Sequence, residues 1–182
     1  MKVCFIGHRD IPIEKVTLRL KNAIIEQINA GCNEFYVGNH GDFDKLVLNT
    51  LVNIKSLHPN IIINLILTNL NVLNTKKSYN DIINTMFFDI ENLHFKQRII
   101  YSNKKMINIC NVLICYVNME NKYSNAYKFL KYAQKNNLHI INIFDKSDNP
   151  ILLMPDEEFK EYCKSISKRL DNLNNKHNRE EI

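Results

Sequence analysis

Short runs of apolar residues alternate along the chain with longer stretches in which apolar residues recur every three or four positions. The short runs have the length and composition of buried strands, and the longer stretches have the periodicity of helices. This pattern predicts five strands, at Lys2–Ile6, Glu34–Val37, Ile61–Leu67, Asn111–Val117 and His139–Phe144. It also predicts four helices, at Glu14–Ala30, Phe43–Leu57, Phe95–Cys110 and Ser124–Asn136.

The alternation of strands with helices of a dozen or more residues indicates βαβ units. Such units pair their strands in parallel, and right-handed crossovers place helices on both faces of the sheet. The sequence therefore predicts an α/β fold, a doubly wound, Rossmann-like and mostly parallel sheet over residues 1–146. Residues 68–95 lack a regular pattern, and we expect a loop with one or two short helices there.

Residues 147–182 predict a separate C-terminal region, made of a turn, one amphipathic helix and a frayed tail. Pro155 is followed by three acidic residues, which the helix dipole favours in a first turn. The apolar positions that follow fall on one stripe: Phe159, Tyr162, Cys163, Ile166, Leu170 and Leu173. We expect this helix to pack on the domain, with a contact in a homo-oligomer as the alternative.

The chain carries 24 Lys and Arg against 19 Asp and Glu, a net charge of +5. The basic residues are scattered, with no run of five or more and no stripe of basic and aromatic residues. This mild excess suits a phosphorylated ligand, with an ordinary solvated surface as the alternative, and nucleic acid is not an expected partner.

Five cysteines without a CxxC pair predict reduced thiols in a cytoplasmic protein, with neither disulfides nor a metal site. The chain opens without a signal peptide, and its apolar runs fall short of the roughly 18 residues that span a membrane. We therefore expect a cytoplasmic protein without a membrane partner.

Ligands of doubly wound sheets bind beyond the carboxyl ends of the strands, so the polar residues that follow each strand are candidates. Gly7, His8 and Arg9 follow the first strand. A glycine permits a tight turn or a close ligand, and the guanidinium group of Arg9 suits a phosphate. The alternative is a turn glycine beside a surface charge.

The second strand is followed by a polar segment that enters a helix: Gly38, Asn39, His40, Gly41, Asp42, Phe43 and Asp44. The N–H groups of such a helix start bind anions. Asp42 or Asp44 would cap the helix or accept a hydrogen bond from a ribose hydroxyl. His40 is a candidate general acid or base, or simply a hydrogen-bonding or stacking residue.

The fourth predicted strand supplies the remaining candidates of this kind: Tyr116, Asn118, Tyr123, Ser124 and Asn125. Ser124 or Asn125 would cap the next helix, and Tyr123 would stack on a base. Lys122 would contact a phosphate. The alternative is a plain capped loop.

Three segments together resemble the SLOG superfamily: Cys4–Arg9, Phe35–Asp44, and Asn111–Val117 followed by Ala126-Tyr127-Lys128. The resemblance covers residues 3–145 and is closest to a bacterial and phage branch that opens with Phe-x-Gly-His-Arg. This superfamily is related to the Lonely Guy phosphoribohydrolases and to DNA-processing protein A. The resemblance implies a Rossmann-like fold that binds nucleotide derivatives, with the pocket lined by Gly7, Arg9, Gly38, Gly41 and Asp44.

The sequence departs from this family at several positions. The branch has Arg-Asn where this chain has Ser102-Asn103, so Asn103 is the candidate that remains, with Met106 in place. Asn111 stands where an aspartate is typical, and residues 123–125 replace a glycine pair. Lonely Guy enzymes carry a catalytic glutamate on the following helix, and residues 126–135 contain no Glu or Asp.

The resemblance, together with the missing glutamate, implies non-catalytic binding of a nucleotide-derived small molecule, such as the ADP-ribose-type signals that some SLOG domains sense. The protein would sense or sequester this signal, as a phage sponge does against immune signalling. No catalytic residue, cofactor or metal ligand is predicted. The alternative is a nucleotide N-glycosidase or phosphoribohydrolase in which Asp42, Asp44 or Glu120 replaces the missing acid. A single-stranded DNA-binding module is a third, less favoured hypothesis.

Overall fold

The computed structural model of the chain describes residues 1–68, 82–88, 90, 92–148, 161 and 164. The six strands of this part are β1 (Lys2–Gly7), β2 (Glu34–Val37), β3 (Ile62–Leu67), β4 (Asn84–Phe87), β5 (Val112–Tyr116) and β6 (His139–Asn142). Its four α-helices are α1 (Ile13–Asn29), α2 (Asp42–Lys55), α3 (Phe95–Ile109) and α4 (Asn125–Lys135).

The six strands form one parallel sheet in the order β4-β3-β2-β1-β5-β6. The strands β2, β3 and β4 follow one another on one side of β1. The strands β5 and β6 then lie on the other side of β1. This reversal places a topological switch point between β1 and β5, where ligands of such sheets bind. The predicted α/β, Rossmann-like architecture is confirmed.

Two apolar cores cover the two faces of the sheet, because alternate side chains of a strand point in opposite directions. In β1, Val3 and Phe5 belong to a first core with the buried residues of α1 and α2. Cys4 and Ile6 belong to a second core, with the buried residues of α3 and α4. Helices therefore lie on both faces, as the right-handed crossover rule predicts.

One expectation was wrong. We expected a loop with one or two short helices over residues 68–95, but the structure has an edge strand, β4, within this segment. Asn84–Phe87 pairs with β3 and is mostly exposed, as an edge strand can be. A strand with polar exposed positions lacks the continuous apolar run by which buried strands are recognised. Residues 69–81, 89 and 91 lie outside the described residues.

The chain divides into two compact units, Met1–Phe144 and Asp145–Ile182. Within the second unit, Lys146–Asp148 forms a 3₁₀ turn, and Glu161 and Lys164 are helical. The rest of the predicted C-terminal helix, including its apolar stripe, lies outside the described residues.

Three further expectations concern the described residues. Four of the cysteines, Cys4, Cys32, Cys110 and Cys115, are buried free thiols. Among the residues that the structure describes, no helix has the length and apolar character needed to cross a membrane. The same residues contain no group of three His, Cys, Asp or Glu side chains placed to hold a metal ion.

Candidate functional site

A cleft of about 540 Å³ opens at the carboxyl end of β1. It is lined by the loops after β1 and β2, by the first turns of α2 and α4, and by one side of α3. The cleft therefore occupies the switch point of the sheet, where the topology predicts a ligand.

Gly7 ends β1 and brings α2 close to the sheet. A side chain on Gly7 would overlap the ring of Phe43, which is 1% exposed. Phe43 in turn stacks on Tyr116 at the end of β5, with 6.2 Å between ring centroids. Phe43 and Tyr116 thus support the floor of the site from within the first core.

His8 joins the loop after β1 to the loop after β5. Its backbone N–H donates to the carbonyl of Tyr116 at 3.2 Å, and its Nε2 accepts from the N–H of Asn118 at 2.9 Å. Burial lowers the pKa of His8, which favours the neutral ring that this acceptor role requires. His8 therefore acts as a positioning residue between two loops and also contributes to the lining.

Arg9 is held by the segment that follows β2. The N–H of Asp42 donates to the Arg9 carbonyl at 2.7 Å. Gly41 has a φ of +108°, and a Cβ built on it would lie 2.9 Å from the Arg9 Cα. Only glycine suits both the conformation and the close approach. The backbone of Arg9 is thereby fixed, while its exposed side chain reaches the cleft.

Asp44 is the acidic group of the cleft. Its Oδ2 accepts from the backbone N–H of His40 at 2.7 Å, and a Cβ on Gly38 would lie 2.7 Å from the same oxygen. Burial raises the pKa of Asp44 to about 7, and the hydrogen bond from His40 opposes this shift. Near neutral pH the carboxyl group of Asp44 is therefore present in two forms. The protonated form can donate a hydrogen bond, and the ionised form only accepts.

His40 lies beside this carboxyl group and contacts the end of β3. Its Nε2 is 2.6 Å from the hydroxyl oxygen of Thr68, a buried residue. Burial and the positive charge of Arg9 lower the pKa of His40, so its ring is neutral around pH 7. His40 is thus a neutral hydrogen-bonding group of the cleft.

The start of α4 forms the wall opposite α2. Of the two candidates Ser124 and Asn125, Ser124 is its N-cap, because Ser124 Oγ accepts from the N–H of Tyr127 at 3.1 Å. The N–H groups of Asn125 and Ala126 have no partner within a helix, and both residues line the cleft. The positive end of the helix dipole therefore faces the same space as Arg9.

No protein-family model and no curated protein matches the chain. We therefore derive the chemistry of the cleft from its own residues. Arg9 and the start of α4 attract an anion, whereas Asp44, His40 and Asn103 supply hydrogen-bonding groups.

The remaining wall is apolar, with Ile99 and Ile100 from α3 and Phe129 from α4. The sequence analysis did not select these residues, because their helical spacing is that of ordinary core positions. The wall also includes Ile6 and Ala126, which the sequence does not distinguish either. Only the topology shows that these side chains share a cleft with the polar loops.

Half of the residues selected from the sequence line this cleft: Gly7, His8, Arg9, His40, Asp44, Asn103, Ser124 and Asn125. Gly38 and Gly41 lie behind the lining. Because they carry no side chain, they leave room for Asp44 and Arg9 to pack against them. The resemblance had implied that both glycines form the pocket surface themselves.

The other selected residues do not belong to the lining of this cleft. Asp42 pairs with Lys45 at 3.0 Å, and Asn118 accepts from the N–H of Glu120 through Oδ1 at 2.9 Å. Oδ1 of Asn39 is buried without a partner among the described residues. Tyr123 is 92% exposed and does not belong to the lining.

Proposed function

We propose that this cleft binds a nucleotide-derived small molecule of the ADP-ribose type without catalysing its conversion. The observation that carries the proposal is that Arg9 lies on the same cleft as the N-terminus of α4, whose first N–H groups have no partner within the helix. A protein of this kind would sense or sequester its ligand.

A phosphate group would bind between Arg9 and the N–H groups of Asn125 and Ala126. Charge-assisted hydrogen bonds of this kind contribute about 1.5–3 kcal/mol each. The first turn of α4 contains no acidic residue that would oppose an anion. This end of the cleft is therefore the natural site for the phosphate.

The sugar and base would occupy the rest of the cleft. Asp44, His40 and Asn103 offer donors and acceptors for sugar hydroxyls, and Ile99 and Phe129 offer an apolar surface for a base. The volume of about 540 Å³ is typical of a small-molecule site. The helix α4 contains no Glu or Asp, which favours binding over hydrolysis.

We also propose that the chain is a divergent relative of the SLOG superfamily. Support comes from the Phe-x-Gly-His-Arg opening and from the position of its glycine and arginine at the switch point. In this context the ligand would be an immune signal, which the protein would sense or sequester.

The binding proposal is tested by thermal shift with ADP-ribose, its derivatives and a broad nucleotide panel. We expect at least one compound to raise the melting temperature, and Arg9→Gln to weaken its binding about 10- to 100-fold. The matched control is Lys15→Gln, which removes one exposed charge from α1. Absence of any shift across the panel contradicts the proposal.

A second candidate function is hydrolysis of a nucleotide N-glycosidic bond. The specific observation in its favour is Asp44, whose pKa of about 7 suits a general acid at neutral pH. Asp42 is ion-paired and Glu120 is exposed, so Asp44 is the candidate acid among the three. Release of free base from AMP, abolished by Asp44→Asn, would establish the enzyme. Recovery of the intact ligand favours the non-catalytic binder.

A further inference from the structure

The cleft that holds Arg9 and the start of α4 also holds a carboxyl group. Asp44 lies in the first turn of α2, and its side chain belongs to the same lining. An anion that is held by Arg9 and α4 would therefore share one small cavity with this carboxyl group. The two would repel each other whenever the carboxyl group is ionised.

The surroundings of Asp44 give its negative charge little compensation. In the part of the chain that the structure describes, Asp44 forms no ion pair with a lysine or an arginine. Its Oδ2 accepts from the backbone N–H of His40 and lies against Gly38, which leaves room for this oxygen because it has no side chain. The ionised form is therefore held by a backbone hydrogen bond without a countercharge.

The other titratable side chains around this carboxyl group keep their charge near neutral pH. Those in the lining are His8, Arg9 and His40, and α3 and α4 contribute none to it. Arg9 stays protonated, and burial lowers the pKa of both histidines from the usual 6.5. On α2 itself, Asp42 and Lys45 form an exposed ion pair. Asp44 is therefore the lining group that changes charge just above neutral pH.

A bound anion would act on Asp44 in two ways. Its negative charge opposes ionisation of the carboxyl group, and its bulk displaces water from the cleft, which removes solvation from the charged form. Protonated Asp44, in contrast, can donate a hydrogen bond to an oxygen of the ligand. All of these effects favour the protonated form of Asp44 in the complex.

We propose that an anionic ligand enters this cleft together with a proton, which Asp44 takes up from the solvent. Asp44 is thereby a specificity-determining residue, because it sets the pH range in which the cleft holds an anion tightly. The inference rests on the proposed function, since it requires that the cleft binds an anion. The alternative is an ionised Asp44 that accepts from sugar hydroxyls, which gives the opposite dependence on pH.

Titration calorimetry of the full chain with ADP-ribose at pH 6.5 and pH 8.5 tests this proposal, because the charge of its pyrophosphate group is constant over this range. We expect binding to be about 10- to 25-fold tighter at pH 6.5. The reason is that a group with a pKa of about 7 is mostly protonated at pH 6.5 and almost fully ionised at pH 8.5. At pH 8.5, two buffers with different ionisation enthalpies should reveal the uptake of about one proton per ligand.

The variant Asp44→Asn removes the titrating group, so its affinity should differ less than about twofold between the two pH values. The matched control is Asp42→Asn, which removes the other carboxyl group of the same turn, outside the lining, and should keep the full pH dependence. Circular dichroism checks that both variants fold. An NMR titration of the Asp44 carboxyl carbon in the original chain needs no variant, and this pKa should rise when ADP-ribose is bound.

Three results overturn this inference and leave the proposed function standing. One is equal affinity at the two pH values. Another is tighter binding at pH 8.5, which would make Asp44 an acceptor for sugar hydroxyls. The third is a pH dependence that persists in Asp44→Asn, which would assign the proton to a histidine. Absence of ADP-ribose binding at both pH values contradicts the proposed function, and the inference fails with it.

Discussion

Gly41 fixes the position of Arg9, because its backbone conformation and its contact both exclude a side chain. Gly31 offers a natural comparison. It also has a positive φ, of +88°, but a Cβ on it would meet nothing within 4 Å. The two glycines therefore separate the cost of backbone strain from the cost of steric overlap.

We predict that Gly41→Ala destabilises the protein by about 2–5 kcal/mol, from strained backbone and overpacking together. Gly31→Ala should cost only about 1–2 kcal/mol, the cost of the left-handed conformation. Urea unfolding of both variants measures the difference. Equal losses would mean that the contact between Gly41 and Arg9 contributes nothing.

Asp44 gives the stability a pH dependence of defined sign. Its pKa rises from 3.8 to about 7 on folding, so the folded chain keeps a proton that the unfolded chain releases. The contribution of Asp44 to stability is therefore present below about pH 4 and is lost as the pH rises to about 7.

We compare the free energy of unfolding of Asp44→Asn with that of the original chain. We predict that this difference favours the variant by about 2–3 kcal/mol more at pH 8 than at pH 5. Urea unfolding at both pH values checks this. Asp42→Asn in the same helical turn is the control, and its effect should stay below about 1 kcal/mol because Asp42 forms an exposed ion pair. An Asp44→Asn effect that is independent of pH would contradict the prediction.

At the scale of elements, Asn142 connects β6 to the end of β5. Its Nδ2 donates to the carbonyl of Val117 at 2.9 Å, and its Oδ1 accepts from the N–H of Val117 at 3.1 Å. One side chain thus satisfies both backbone groups at the point where the chain leaves the sheet and turns towards α4.

We predict that Asn142→Ala costs about 1–3 kcal/mol, since it leaves these two groups without their partner. It should also accelerate hydrogen exchange at the Val117 amide. Exchange monitored by NMR measures this, and Asn136→Ala, which removes an exposed side-chain bond to Tyr132, serves as control. Unchanged protection of Val117 would exclude a role for the bridge.

Most elements could be predicted because burial and periodicity agree in them. In β5 all five residues are buried, and α4 places Ala126, Phe129, Leu130 and Ala133 on one face. The edge strand β4 has neither signal, so the sequence did not reveal it. The predicted strand at His139–Phe144 ends two residues earlier, at Asn142.

The candidate site could be predicted mainly where it follows strands, with Asn103 on α3 added by the family resemblance. Arg9, His40 and Asp44 were found because loops after parallel strands converge on one edge. Tyr123 follows β5 as well, but its side chain is 92% exposed and does not belong to the lining. Phe129 was missed, because a buried residue that also borders a cleft has no distinct pattern.

At the scale of the whole molecule, the sheet separates two apolar cores. Ile24 lies in the first and Ile107 in the second, and neither is exposed. We predict that Ile24→Val and Ile107→Val each cost about 0.5–1.5 kcal/mol and that the double variant shows their sum within about 0.5 kcal/mol. Denaturant unfolding of the three variants measures this.

A contacting pair within one core provides the contrast. Phe43 and Tyr116 stack in the first core, so Phe43→Leu and Tyr116→Leu should deviate from additivity by more than 0.5 kcal/mol. Strong coupling between Ile24 and Ile107 would contradict the division into two cores, and additive behaviour of Phe43 and Tyr116 would contradict a coupling through their stacked rings.

The distribution of charge also emerges only at this scale. Lys104 and Tyr132 belong to different helices, and Lys104 Nζ lies 5.4 Å from the centroid of the Tyr132 ring. The sequence analysis could not show this contact, because the two residues lie far apart in the linear sequence.

The hydrogen bond from Asp42 to Arg9 and the close approach of Gly41 have a consequence for kinetics. These two contacts fix the backbone of Arg9 without any ligand. Binding of a ligand would therefore need little free energy to order this wall of the cleft. Association would then proceed in one step, at a rate proportional to ligand concentration, and differences in affinity between related ligands would lie in their residence times.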